Sequence, residues 1–110
     1  MNETVGSPLT EAMNRLWTKF LPQMVERVRI LQIAAESAAK GTLGAAEQQT
    51  ASSEAHKLAG VLGTFGLQEG TELAREAENL YAGPLSDSAA ISARLTQIAE
   101  QLSTIVASRR

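Results

Sequence analysis

Apolar positions along the chain recur at intervals of three and four, the spacing that lines one face of an α-helix. Leu9, Met13, Leu16, Trp17 and Phe20 make a first such face. Met24, Val28, Leu31, Ala35 and Ala38 make a second, and Ala51, Ala55, Leu58, Leu62 and Phe65 a third. Leu73, Ala74, Ala77, Leu80 and Tyr81 make a fourth. The cleanest is the last: Ile91, Leu95, Ile98, Leu102, Ile105 and Val106. No segment alternates apolar with polar residues as a half-buried strand does, and no repeat or low-complexity tract interrupts the pattern.

Breakers and caps divide these faces into elements. Met1 to Pro8 reads as a flexible lead-in, with Thr10 able to cap a first helix. Pro22 lacks an amide proton and disfavours helix at Leu21, so the first helix is predicted to end there and a second to run from about Pro22 to Lys40, before Gly41. A third is predicted from Leu43 or Gly44 to Thr64, closed by Gly66. A fourth spans roughly Leu67 to Ala82 and stops at Gly83-Pro84. Ser86 or Asp87 can cap a fifth that reaches nearly to Arg110. Four long amphipathic helices on short loops bury their stripes most simply as an antiparallel up-down-up-down bundle. The expectation is therefore an all-α domain over residues 9–110, with the short extra N-terminal helix covering one end or flank.

Composition narrows the picture. A chain of 110 residues holds one domain rather than two. Without cysteine there is no disulfide framework and no thiolate metal site, and with a single histidine a metal centre lacks donors. No run approaches the roughly 18 apolar residues of a membrane span, and the first residues lack the layout of a signal peptide. A cytoplasmic protein without a membrane partner is expected. The net charge of −2 supplies no basic footprint for nucleic acid. A helical bundle by itself says nothing about function.

The candidate chemistry centres on His56, the one histidine. On a wheel of about 100° per residue it falls roughly 130° from the core direction of the third helix, on an exposed flank. Its neighbours there are Ser52, Ser53, Ala59, Gly60 and Gly63, all small. Each glycine inside a helix costs about 1 kcal/mol relative to alanine, so Gly60 and Gly63 call for an offsetting benefit. A flat surface around a projecting imidazole lets another protein's backbone approach closely. A neutral imidazole nitrogen is a competent nucleophile near neutral pH, and phosphoryl transfer asks mainly for positioning and charge neutralisation. Lys57 is adjacent and can help with charge, although it points about 100° round the helix.

From Ala55 to Leu67 the chain reads A-H-K-L-A-G-V-L-G-T-F-G-L. This segment resembles the signature of histidine-containing phosphotransfer (HPt) domains: the histidine, an apolar residue two on, glycine four on, and glycine, aromatic and glycine seven, nine and ten on. Those positions are His56, Leu58, Gly60, Gly63, Phe65 and Gly66. The resemblance implies that His56 is phosphorylated and that it exchanges phosphoryl groups with aspartates of receiver (response regulator) domains. It also implies a multistep phosphorelay fed by a hybrid sensor kinase. The carrier, expected to be a monomer, needs no cofactor of its own; the divalent cation belongs to the receiver partner. No glycine-rich loop followed by lysine is present for ATP, so autonomous kinase activity is not expected. One departure matters. The family commonly has lysine or arginine three residues after the histidine, where this chain has Ala59. Lys57, Arg29 or Arg75 would have to supply the missing charge.

The remaining polar residues read more plainly. Glu69, Glu72, Glu76 and Glu78 suggest a solvated acidic face of the fourth helix, and Arg27 and Arg75 suggest exposed ion pairs. Arg109 and Arg110 suit the negative end of the last helix dipole. Trp17 and Phe20 are simplest as core, with a docking surface as the other reading. The alternative to a phosphocarrier is a helical interaction module in which His56 is incidental.

Overall fold

A computed structural model describes residues 7–85 and 89–109. The expected lead-in up to residue 6, the Ser86 or Asp87 cap and Arg110 lie outside the described residues. The chain forms four helices: α1 (Pro8–Ala39), α2 (Ala45–Thr64), α3 (Gln68–Ala82) and α4 (Ala89–Ser108). Among the described residues there is no strand. Each helix packs against its neighbours in sequence, and α4 closes the ring on α1. This is the up-down-up-down bundle. Its fully buried centre is Met24, Leu31, Leu58, Leu62, Ile98 and Leu102.

Pro22 does not break the chain into two helices. α1 runs through it as one helix of 32 residues. Pro22 and Thr18, whose carbonyl loses its amide partner four residues on, are both exposed, so water can take the missing hydrogen bond. The buried stripe also keeps its phase across the proline: Trp17, Met24, Val28, Leu31 and Ala35 lie on one face. Nor does Thr10 cap the helix. Ser7 precedes it and accepts from the Thr10 amide at 3.5 Å, with Pro8 in the first helical position where a missing N–H costs nothing.

At about 1.5 Å per residue α1 is roughly 48 Å long, against about 30 Å for α2 or α4. It therefore outruns the bundle, and the molecule measures 56 × 22 × 17 Å. Leu9 and Leu16, placed on an apolar face by their spacing, are 73% and 40% exposed on this overhang. The core begins at Trp17. Its ring meets Phe65 edge-on at 5.1 Å, Phe65 also meets Phe20, and the Arg109 guanidinium lies 4.7 Å from the indole centroid. Arg109 thus closes the end of the bundle by a cation–π contact. On α3 and α4, Leu80, Ile91 and Ile105 are only half-buried.

The most extensive helix pair is α2 with α3. Its turn is short and fixed. Gly66 takes φ +71°, the Leu67 amide bonds the Leu62 carbonyl at 3.0 Å and the Gly66 amide bonds the Gly63 carbonyl at 3.1 Å. These are the two bonds of a Schellman motif, which needs a left-handed residue at this place. The seam that follows is built from small residues, Ala55, Ala59 and Gly63 against Gly70, Ala74 and Ala77, which lets the two backbones come close. Gly70 has no room for more: a Cβ there would stand 3.0 Å from Leu62 Cδ1 and 3.4 Å from Ile105 Cγ2. At Gly60, by contrast, a Cβ would meet nothing within 4 Å.

These two glycines should respond oppositely to alanine. Gly60→Ala gains helix propensity, about 1 kcal/mol. Gly70→Ala gains the same but overpacks a buried leucine, typically at about 1–3 kcal/mol. Thermal melts should rise by a few degrees for Gly60→Ala and fall for Gly70→Ala. A rise in both would show that the seam has slack.

Candidate functional site

His56 sits midway along α2 with its side chain 73% exposed. Its Nδ1 lies 2.9 Å from Oε2 of Glu78 on α3, whose side chain is 29% exposed. An ionised carboxylate only accepts, so the proton is assigned to Nδ1 and Nε2 carries the free lone pair, facing water. One ring nitrogen is thereby tied and the other left open.

The seam fixes Glu78 opposite His56. Three polar residues of α2 stand one turn apart on its α3-facing edge: Gln48, Ser52 and His56. The Gln48 amide donates to the carbonyls of Tyr81 and Gly83 at 2.8 and 2.9 Å. The last carbonyls of a helix lack amide partners of their own, so Gln48 serves as a cap supplied from the side. Ser52 Oγ donates to the Glu78 carbonyl at 3.2 Å. The backbone of α3 is held at the very residue whose side chain holds the imidazole.

The other residues expected around His56 divide into two groups. Ser53, Lys57, Gly60 and Gly63 are exposed, and Gly60 and Ser53 face open solvent. Gly63 lies at the edge of the seam, where a Cβ would be 3.7 Å from Thr71 Oγ1. Ser52 is half-buried and committed to α3. Ala59 is a correction: it is 4% exposed, part of the core, not of the outer surface. Three residues after His56 the helix has turned inward against α3. Lys57 is drawn the other way, its Nζ 3.5 Å from Glu54 Oε2.

The acidic residues of α3 are not one solvated face. Glu78 orients His56, and Glu76 receives two bonds from Arg94 on α4, at 2.7 Å from Nε and 2.6 Å from Nη2. The Arg94 hydrogen bonds hold the Glu76 carboxyl below its usual range. Arg27 likewise does not join a fully exposed pair. It reaches Glu54 at 2.7 Å, with side chains only 20% and 15% exposed. Sequence reasoning missed the pairing of Glu78. The available signal was angular: on the α3 wheel Glu78 lies roughly 85° from the core direction, at the edge of the buried stripe, whereas Glu72 lies on the far side.

A single exposed histidine, tied at one nitrogen, thus stands on the outside of a four-helix bundle. The Hpt domain family matches residues 15–105, so the chain belongs to that family. Its members carry phosphoryl groups on histidine within two-component phosphorelays. Over 71 residues the chain is 35% identical to Protein RcaC of Microchaete diplosiphon, an alignment that covers 64% of this chain and 11% of that protein. No solved structure matches the chain. Among the described residues no helix is long and apolar enough to cross a membrane.

Burial of position 59 sets an expectation for the substitution that would restore the family's common basic residue. Ala59→Lys forces an ammonium and its stem into the small-residue seam. The melting temperature should drop by several degrees, since an unpaired charge is expensive to bury. A variant as stable as the parent would mean that the lysine finds water along the seam.

Proposed function

We propose that His56 is the phosphorylated residue and that the domain relays the group between receiver domains. The Nε2 lone pair attacks the phosphorus of a receiver's aspartyl phosphate. The P–O bond breaks with its electron pair returning to the aspartate, and the Nε2–P bond forms. The proton on Nδ1 stays in place, and Glu78 balances the positive charge that the ring acquires. The return step is the reverse: the P–Nε2 bond breaks, its electron pair returns to the ring, and a second aspartate takes the phosphoryl group. Because Nδ1 is protonated throughout, no proton has to move in either direction.

The observation that carries this reading is the 2.9 Å tie from His56 Nδ1 to Glu78 in a side chain otherwise open to solvent. An incidental surface histidine has no need of an oriented partner. The docking surface in this reading is the low-relief patch of Ser53, Gly60 and the outer edge of Gly63, with Lys57 at its border. A hybrid sensor kinase would supply the phosphoryl group through its receiver. The divalent cation that shields the acyl phosphate would reside on that receiver, and the carrier itself would use no cofactor. The reading implies a monomer working in the cytoplasm.

Incubation with a phosphorylated receiver domain should give label on the chain that is labile to acid and stable to alkali, as a phosphoramidate is. His56→Gln should carry none of it. Equal labelling of that variant would sink the assignment.

The docking surface has a separate test. Gly60→Gln should melt at or slightly above the parent, because the space above Gly60 is open and glutamine is the better helix former, and lose most transfer from a receiver. Normal transfer would mean that the partner approaches over another face.

A further inference from the structure

We propose that Arg75 is the residue that holds the phosphoryl group on His56. This rests on the reading of His56 as the phosphorylated side chain. The need for such a cation follows from the site itself. A phosphoryl group on Nε2 brings nearly two negative charges beside the Glu78 carboxylate, in the middle of a helix where the backbone dipole gives no relief. On α2 the position usually basic in the family is occupied by Ala59, which faces the core. The charge has to arrive from another element.

The register of the α2–α3 seam identifies that element. His56 stands opposite Glu78, and Gly63 opposite Thr71. The helices run antiparallel, so Arg75, three residues before Glu78 on α3, is level with Ala59 and Gly60. On the α3 wheel it falls on the same flank as Glu78 and Thr71. Directly across the seam is Gly60, without a side chain and with open space above it. One turn further along α2, about 6 Å, is His56. An arginine stem lying over Gly60 brings its guanidinium to the outer side of the imidazole, where Nε2 points. The planar fork then meets two phosphoryl oxygens at once.

The other cations near this level are engaged. Arg27 and Lys57 hold Glu54, Arg94 holds Glu76, and Arg29 pairs with Glu26 on α1. Arg75 is exposed and, among the described residues, holds no ion pair or hydrogen bond. Gly60 therefore serves two neighbours: it clears the surface for an approaching partner and leaves a path for the arginine.

The test uses phosphoramidate, which needs no protein surface. Nε2 attacks its phosphorus, the P–N bond breaks and ammonia leaves with the electron pair, so the rate reports the carrier's own groups. Phosphorus NMR of the labelled chain adds a readout that mere structural support would not move: the pH midpoint of the phosphoryl group, which a nearby guanidinium lowers. Arg75→Gln should melt as the parent does, label about five- to tenfold more slowly, and raise that midpoint. Arg75→Lys should recover part of both. Parent-like rate and midpoint in Arg75→Gln, with His56 of the parent labelled normally, would overturn this role alone. An equal loss in Lys57→Gln would overturn it too, by showing a diffuse field rather than a held phosphoryl group. Failure of the parent to label at His56 would overturn the phosphocarrier reading together with it.

Discussion

The close approach of α2 and α3 governs the rest of the molecule. Large side chains along this seam would hold two helices about 10 Å apart, and no polar group on one would find the backbone of the other. Alanines and glycines remove that spacing, and the Schellman turn at Gly66 sets how the two helices align. From the alignment follow the three polar ties of Gln48, Ser52 and His56, each at its own turn. The large side chains of the buried centre come from α1, α2 and α4, two from each, and α1 and α4 form the next most extensive pair.

The site is correspondingly simple. His56 stands 73% exposed, and the paired side chains sit on two helix faces rather than on a loop. On the proposed reading the nitrogen must be reached by another protein and cannot be enclosed, so its orientation has to come from one side only. Glu78 does this from beneath the ring while Nε2 stays clear. Rigid helices hold the pair more closely than loops would. In that reading the open face leaves protection of the transferring group to the partner.

Much of this was legible in the chain. The stripes of the last three helices, the stops at Gly41 and Gly66 and the exposed flank bearing His56 all follow from local periodicity. Three features were not. Pro22 carries a strong local signal for a break, overridden because the buried stripe keeps its phase on both sides and the orphaned carbonyl faces water. Ala59 looked like a surface residue because the wheel was centred on α2's large apolar residues, whereas the helix also buries the side that meets α3. Small residues mark that second interface weakly, since alanine and glycine are at home in both settings. The bond between His56 and Glu78 joins residues 22 apart in sequence; the α3 wheel puts Glu78 at the edge of the buried stripe but does not say which residue of α2 it will face.

Trp17, the chain's only tryptophan, has a practical consequence. Its ring is sealed between Phe65 at the end of α2 and Arg109 at the end of α4, with an indole N–H that has no acceptor. Phe65 lies nine residues along from His56, so the indole is on the order of 14 Å down the axis from the imidazole. Emission from this one fluorophore is a gauge of whether the ends of three helices are closed. Hydration of the indole shifts it to the red, while charging of the distant imidazole leaves it nearly unchanged. A single optical signal therefore reports unfolding with little interference from phosphorylation.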